Sequence, residues 1–156
     1  MDLDDAMAVF AALEREDVAY VLVGAVALAL HGEVRATLDI DLFVAPSADN
    51  VAALRRALHA VFDDPDLEEI RSEDLTGEYS VVRYVPPSGD YAIDMITRLG
   101  QAFSFEDLDW DTVERDGVTI RVATPATLYR MKVDTVRPQD HVDAARLRER
   151  FRLEGP

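Results

Sequence analysis

The sequence contains no cysteine, and its basic residues are far outnumbered by its acidic ones. The lack of cysteine excludes disulfides, thiolate metal sites and cysteine nucleophiles, and it is compatible with a reducing compartment. The chain has 31 acidic and 16 basic residues, which gives a formal net charge of −15. A surface of that sign repels nucleic-acid phosphates and anionic membranes unless basic residues cluster locally. The composition therefore disfavours unaided, tight binding to long nucleic acids, tRNA included, without excluding it.

Long hydrophobic segments are also lacking. The longest apolar run, Val18 to Leu30, holds 13 residues and includes a glycine, which is too short for a helix that crosses a bilayer. The first five residues are acidic where a signal peptide carries basic residues. We therefore expect a cytoplasmic protein without a membrane partner. The length of 156 residues and the hydrophobic content of 49% are typical of one globular domain, here residues 1–156.

Several catalytic signatures are absent as well. The sequence has no Walker P-loop, no dinucleotide-binding glycine fingerprint and no G-x-S-x-G nucleophile elbow. Its three histidines are not spaced as zinc ligands. The Asp-x-Asp run at residues 39–41 is not an EF-hand loop, because Phe43 stands where another oxygen ligand is expected. If this chain binds a metal ion, the ligands must come from acidic residues in another arrangement.

Hydrophobic periodicity predicts an α/β (α+β) domain in which a small mixed β-sheet is flanked by helices. The predicted strands are 18–23, 38–44, 79–85 and 91–96, with a hairpin at 112–122 that turns at Asp116-Gly117. The predicted helices are 3–16, 25–31, 47–61 and two C-terminal helices within 125–151. Residues 63–77 are polar and predict a loop with at most one short element. The core of the domain is expected within residues 18–97.

The strand at 38–44 carries two acids two residues apart, Asp39 and Asp41. Side chains alternate along a strand, so both carboxylates point to the same face while Leu38, Ile40 and Leu42 face the other way. Two like charges on one face repel each other, and solvent or a divalent cation relieves the repulsion. The same alternation is also typical of an ordinary half-buried strand with its polar face in water.

A third acid, Asp94, lies in the predicted strand Tyr91–Ile96, which is apolar on both faces. A carboxylate buried there is costly unless it is paired, hydrogen-bonded or bound to metal, although an edge strand would leave it in solvent. Three carboxylates from two strands are the usual ligands of a Mg²⁺ site for phosphoryl transfer. Asp94 could also help to deprotonate the attacking hydroxyl.

A glycine turn precedes the acidic strand. The strand at 18–23 ends at Gly24 and a helix begins at once, which points backbone N–H groups and the positive helix end towards a bound anion such as a triphosphate. The small residues Gly24 and Ala25 allow close approach. On its own, a glycine after a strand is most often just a turn.

The combination of these segments resembles the DNA polymerase β-like nucleotidyltransferase superfamily. The stretch from the Gly24-Ala25 turn through His31-Gly32 to Arg35-Ala36-Thr37-Leu38-Asp39-Ile40-Asp41-Leu42 is similar to the AbiEii-type toxins and related small uncharacterised proteins. The segment Pro125–Lys132, followed by Arg137, Asp140 and Asp143, resembles the lysine helix of the family and its following Arg/Asp helix. For Asp140 and Asp143, the dipole of the helix that they begin is a sufficient explanation.

The resemblance implies a Mg²⁺- or Mn²⁺-dependent nucleotidyltransferase, in which Asp39, Asp41 and Asp94 bind the metal and carry the catalysis. Such an enzyme moves a nucleoside monophosphate from an NTP to an RNA 3′ end, a protein hydroxyl or a small molecule. A place in a toxin–antitoxin system would add a protein partner or antitoxin. The acidic surface makes bare RNA the least suitable of these acceptors.

The resemblance also assigns nucleotide-binding roles. Gly24 and Ala25 would form the turn on the phosphate side, Lys132 would reach the triphosphate, and Arg35 would steady the substrate or anchor its loop. From the residues alone, Lys132 also fits a solvated helix lysine and Arg35 a surface ion-pair partner. The family commonly has Gly or Ser where this chain has Ala25. Because Ala25 lacks a hydroxyl, one alternative is a catalytically weak or inactive module that acts by binding a protein. An unrelated α/β domain is a further alternative.

Overall fold

The structure, a computed structural model, describes residues 3–33, 39–77, 80–99 and 101–154. Three sequence predictions, the role of Arg35 and the starts of the strands at Leu38 and Tyr79, lie outside these residues. The helices are α1 Leu3–Arg15, α2 Gly24–Leu30, α3 Ala48–Val61, α4 Pro125–Val133 and α5 Pro138–Phe151. The strands are β1 Tyr20–Val23, β2 Asp39–Val44, β3 Val81–Tyr84, β4 Ala92–Ile96, β5 Arg98–Leu99, β6 Phe103–Ser104, β7 Trp110–Arg115 and β8 Val118–Ala123.

Six of the strands form one mixed sheet in the order β3-β4-β2-β1-β8-β7. The neighbours β1–β2, β3–β4 and β7–β8 run antiparallel, whereas β2–β4 and β1–β8 run parallel. Helix α1 packs on α3 and β8, α2 packs on β1 and β2, and α4 packs on α5. The predicted fold class, a mixed sheet with flanking helices, is therefore confirmed.

The central strands are buried because they are apolar along nearly their whole length. Every residue of β1 is buried, and every residue of β2 except Asp39 and Asp41 is buried as well. A strand buried on both faces reads as a continuous apolar run rather than as an alternation, which is how Val18 to Val23 reads. The acids of β2 are therefore the exceptions in an apolar sheet centre.

Two regions are more structured than the sequence indicates. Residues 63–77 contain two 3₁₀ helices, Pro65–Glu69 and Ser72–Leu75, which are anchored by the buried side chains of Leu67 and Leu75. Strands β5 and β6 form a separate two-stranded sheet that the sequence did not predict. Each of these two strands has only two residues, which is too few for an alternating pattern to be visible.

Asn50, in the first turn of α3, ties the helix to both central strands. Its side-chain oxygen accepts a hydrogen bond from the Ala19 N–H (2.7 Å), and its amide nitrogen donates to the carbonyls of Ala19 (3.0 Å) and Ala45 (2.8 Å). Ala19 and Ala45 adjoin the β1–β2 pair, whose register aligns Tyr20 with Val44. The Asn50 side chain thus hydrogen-bonds three backbone groups at one end of the β1–β2 pair, and Asp41 lies at the other end.

We expect Asn50→Ala to lower the free energy of unfolding by about 2–3 kcal/mol, because three hydrogen bonds to the backbone are lost at once. Urea denaturation followed by circular dichroism measures the change. The matched control is Ser47→Ala, which removes one hydrogen bond, from the Asn50 N–H to the Ser47 hydroxyl, and should cost about 1 kcal/mol. Equal losses in the two variants would contradict a special role for Asn50.

Candidate active site

The pairing of β2 with β4 brings the three predicted acids to one face of the sheet. These strands are parallel, and their register places Asp41 directly beside Asp94 and Asp39 beside Ala92. Neighbouring strands are about 4.8 Å apart, and side chains at paired positions point to the same face. Asp39 shares that face because it lies two residues before Asp41 on β2. Three carboxylates therefore lie close together at the centre of the sheet.

Arg83, which the sequence analysis missed, joins two of these acids. Strand β3 pairs with β4 so that Arg83 lies opposite Asp94. The Arg83 Nε donates to Asp94 Oδ1 (3.0 Å) and Nη2 donates to Asp94 Oδ2 (3.1 Å), which is a bidentate ion pair. The same Nη2 lies 3.4 Å from Asp39 Oδ2. Two of the acids thus converge on one guanidinium.

Asp41 is the acid in the least favourable surroundings. Burial raises the pKa of its carboxyl to about 6, and the negative charges of Asp94 and Asp39 add to the rise. The positive charges of Arg83 and Lys132 oppose the rise without cancelling it. The side chain of Asp41 makes no hydrogen bond or ion pair within the part of the chain that the structure describes. An additional cation would therefore bind most favourably beside this carboxylate.

The Asp41 carboxylate leaves no room for a side chain at Gly24. Its φ is +74°, a left-handed conformation that favours glycine. A Cβ atom at this position would also collide with the Asp41 carboxylate, lying only 2.8 Å from its Cγ. Gly24 begins α2, and Ala25 follows it in the first turn of the helix. The turn and the acidic cluster are therefore in contact, as their predicted roles require.

Lys132 on α4 lies within electrostatic reach of Asp41 and is itself held by two acids of α5. Its Nζ is 2.8 Å from Asp140 Oδ1 and 3.2 Å from Asp143 Oδ2, and its side chain is only 13% exposed. Burial acts to raise the pKa of Asp140, but hydrogen bonds from Lys132 and Thr135 outweigh it and hold the pKa below its usual value. Lys132 is thus not a solvated helix lysine, and Asp140 and Asp143 do more than begin a helix.

The acids suit a hard divalent cation by their chemistry, because carboxylate oxygens are the ligands that Mg²⁺ and Mn²⁺ prefer. Their present side-chain positions do not yet enclose an ion. Among residues 3–33, 39–77, 80–99 and 101–154, no three metal-ligating side chains form a group that could hold one. The cation that Asp94 and Asp39 share in this structure is the guanidinium of Arg83.

A cavity of about 570 Å³ lies elsewhere, between α4 and α5. Tyr129, His141, Arg148 and Arg152 are among its lining residues, and none of the three acids of the sheet is. The acidic cluster is therefore separate from this cavity. No helix within the described ranges is long and apolar enough to cross a membrane.

Comparisons with known proteins agree with this geometry. The sequence profile of the family described as "Nucleotidyl transferase AbiEii toxin, Type IV TA system" matches residues 6–152. The fold is similar to the crystal structure of a Thermotoga maritima protein that is provisionally classed as a nucleotidyltransferase, with a TM-score of 0.61. The similarity covers 96% of this chain and 91% of that one at 13% sequence identity, so it shows the fold alone. No curated protein sequence matches this chain significantly.

We expect Gly24→Ala to lower the free energy of unfolding by about 2–4 kcal/mol, because the new methyl group adds a clash with Asp41 to an unfavourable φ. Gly89→Ala is the matched control, since Gly89 has a similar φ of +72° but no atom within 4 Å of an added Cβ. Its cost should be about 1 kcal/mol. Urea denaturation of both variants measures the difference, and equal costs would show that the clash is absent.

The raised pKa of Asp41 predicts that Asp41→Asn increases the stability of the metal-free protein, by an amount that depends on pH. Because the folded-state pKa, about 6, lies above the usual pKa of an aspartate, ionised Asp41 destabilises the fold. In the wild type, this cost is absent below pH 4, develops as the pH rises to about 6 and remains above it. The variant should therefore be more stable than wild type by about 1–2 kcal/mol at pH 8, a figure reduced for solvent screening.

Urea denaturation at pH 4 and pH 8, with EDTA present, measures this gain. The control is Asp63→Asn, which removes an exposed carboxylate and should change the stability little at either pH. A loss of stability in Asp41→Asn at pH 8 would mean that the fold does not penalise the charge of Asp41.

Proposed function

This chain belongs to the AbiEii nucleotidyl transferase toxin family, and we propose that it transfers a nucleoside monophosphate from an NTP to an acceptor hydroxyl. The observation that carries the proposal is the convergence of Asp39, Asp41 and Asp94 on one sheet face, in contact with the Gly24 turn. A cluster of carboxylates beside a backbone turn is suited to a metal-bound triphosphate.

The three acids would hold one or two Mg²⁺ or Mn²⁺ ions, which supply charge neutralisation of the phosphates and activation of the attacking hydroxyl. Asp41 is the first ligand on this proposal, because its carboxylate has no other partner among the described residues. Asp39 and Asp94 complete the set. Asp94 would also accept the proton of the attacking hydroxyl at its carboxylate.

Positive and neutral donors around the acids would orient the triphosphate. Lys132 is fixed by Asp140 and Asp143, so its ammonium would meet the phosphates without a large loss of side-chain entropy. Gly24 and Ala25 would bring backbone N–H groups close to the phosphates. We keep Arg35 in the proposal as a residue that steadies the substrate or anchors its loop.

The acceptor is an RNA 3′ end, a protein hydroxyl or a small molecule. The net charge of −15 disfavours an RNA acceptor such as tRNA. We also propose a cytoplasmic location, a single domain over residues 1–156, and an antitoxin as the protein partner, since the family consists of type IV toxins.

A second candidate is a module that retains the fold but acts by binding a protein. Two observations favour it. Ala25 lacks the hydroxyl that the turn of the family often offers, and the guanidinium of Arg83 lies between two of the three acids. Such a module would bind nucleotide weakly and transfer nothing.

We expect labelled-NTP transfer to require the acids of β2. With α-labelled NTPs, Mg²⁺ and candidate acceptors (total RNA, tRNA and protein), Asp39→Asn combined with Asp41→Asn should lower the transfer rate by about 100-fold or more, because the metal ligands are lost. EDTA should abolish transfer by the wild type. Asp49→Asn combined with Asp63→Asn is the matched control, since it removes the same charge from exposed positions away from the sheet.

The transfer experiment separates the two candidates when a thermal shift is recorded alongside it. A Mg²⁺- and NTP-dependent shift without transfer would favour the protein-binding module. Transfer that survives in the double variant would contradict the proposed roles of Asp39 and Asp41.

A further inference from the structure

We infer that Arg83 is a built-in competitor for the divalent metal: its guanidinium occupies the gap between Asp94 and Asp39 and must leave before an ion can use both acids. This inference rests on the proposed function, since it concerns the same acids. It goes further in assigning to Arg83, which is not one of the predicted site residues, control over when the metal site forms.

Arg83 makes hydrogen bonds of defined geometry to two of the acids. Its Nε and Nη2 bind the two oxygens of Asp94 at 3.0 and 3.1 Å, and Nη2 also reaches Asp39 at 3.4 Å. A planar guanidinium matches a carboxylate in this bidentate way, whereas an ammonium group cannot. One guanidinium therefore offsets part of the mutual repulsion among Asp94, Asp39 and Asp41.

The guanidinium and a divalent ion exclude each other for two physical reasons. A Mg²⁺ ion lies about 2.1 Å from its carboxylate ligands, and the side of Asp94 that faces Asp39 is taken by the guanidinium nitrogen that both acids share. A divalent cation at that place would also stand within a few ångströms of a positive guanidinium, where the repulsion between like charges is strong. An ion can therefore bind both acids only after the guanidinium has moved away.

The position of Arg83 allows such a movement. Its backbone is fixed because β3 pairs with β4 and sets Arg83 opposite Asp94. Strand β3 is at the edge of the sheet, and the Arg83 side chain is 57% exposed while that of Asp94 is only 13% exposed. The head group can turn into solvent by rotation of its own side chain, without a change in the core. An ion pair with one partner so exposed is weak enough to be displaced.

The competition has a consequence for the proposed reaction. Without metal, Arg83 offsets part of the charge of Asp94 and Asp39. An ion that used both acids would replace the guanidinium, which would then turn towards solvent at the β3 edge of the sheet. The apparent affinity of the acids for metal would therefore be lower with Arg83 in place than without it.

Metal affinity in the absence of nucleotide tests the inference. The full-length protein, stripped of metal, is titrated with Mn²⁺, and the free ion is measured by electron paramagnetic resonance. The variants are Arg83→Met, which removes the charge, and Arg83→Lys, which keeps the charge but loses the bidentate geometry. Arg56→Met is the matched control, because Arg56 makes an exposed ion pair with Glu16 away from the sheet acids.

We expect Arg83→Met to bind Mn²⁺ about 5- to 10-fold more tightly than the wild type, because the competing state no longer lowers the apparent affinity. Arg83→Lys should lie between the two, and Arg56→Met should equal the wild type. Without metal, Arg83→Met should unfold at a lower temperature than the wild type, and saturating Mn²⁺ should reduce that difference. Circular dichroism checks that each variant is folded, and Arg83→Lys decides the question if Arg83→Met does not fold.

Four results would overturn the inference. If Arg83→Lys binds Mn²⁺ exactly as the wild type does while Arg83→Met gains affinity only at low salt, then long-range repulsion and not occupancy is the cause. If Arg83→Met binds Mn²⁺ more weakly than the wild type, Arg83 supports the ion. If no protein binds Mn²⁺, the metal in the proposed function fails as well. Metal-dependent transfer by the wild type together with unchanged affinity in both Arg83 variants removes the inference alone.

Discussion

The crowding of three carboxylates on one face of a buried sheet is the constraint on which the site depends. The parallel pairing of β2 with β4 sets Asp41 beside Asp94, with Asp39 on the same face. These like charges raise the pKa of Asp41, and burial raises it further. The surrounding apolar strands and helices hold the acids in place because the rest of β1, β2 and β4 is buried in the core. The fold thus maintains an arrangement that the acids alone would not adopt.

The positively charged side chains of Arg83 and Lys132 offset part of this charge, and each forms ion pairs with two acids. Arg83 binds Asp94 and Asp39 from the edge strand, and Lys132 binds Asp140 and Asp143 from the helical pair α4–α5. Lys132 still lowers the pKa of Asp41, so the C-terminal helices contribute to the electrostatics of the sheet acids. The acidic cluster and the α4–α5 pair therefore form one electrostatic unit, although they are far apart in sequence.

Membership of the AbiEii family fits this unit. On the proposed function, the acids would bind the metal, the Gly24 turn would face the phosphates and Lys132 would supply a fixed positive charge. The contact between the turn and Asp41 explains why Gly24 must be a glycine, since a larger residue would displace the acid beside the turn.

The sequence by itself determined several local features: the element types outside residues 63–77 and the β5–β6 pair, the shared face of Asp39 and Asp41, the break at Gly24 and the resemblance to the AbiEii toxins, which is most distinctive over residues 21–44. Each depends on the period of a strand, the conformational freedom of glycine or a short motif, and all of these are visible within a few residues. The tertiary structure alone decided that Asp94 lies beside Asp41, that Arg83 lies between Asp94 and Asp39, and that Lys132 has two acidic partners. Strand register and helix packing join residues that are tens of positions apart, and no local periodicity contains that information.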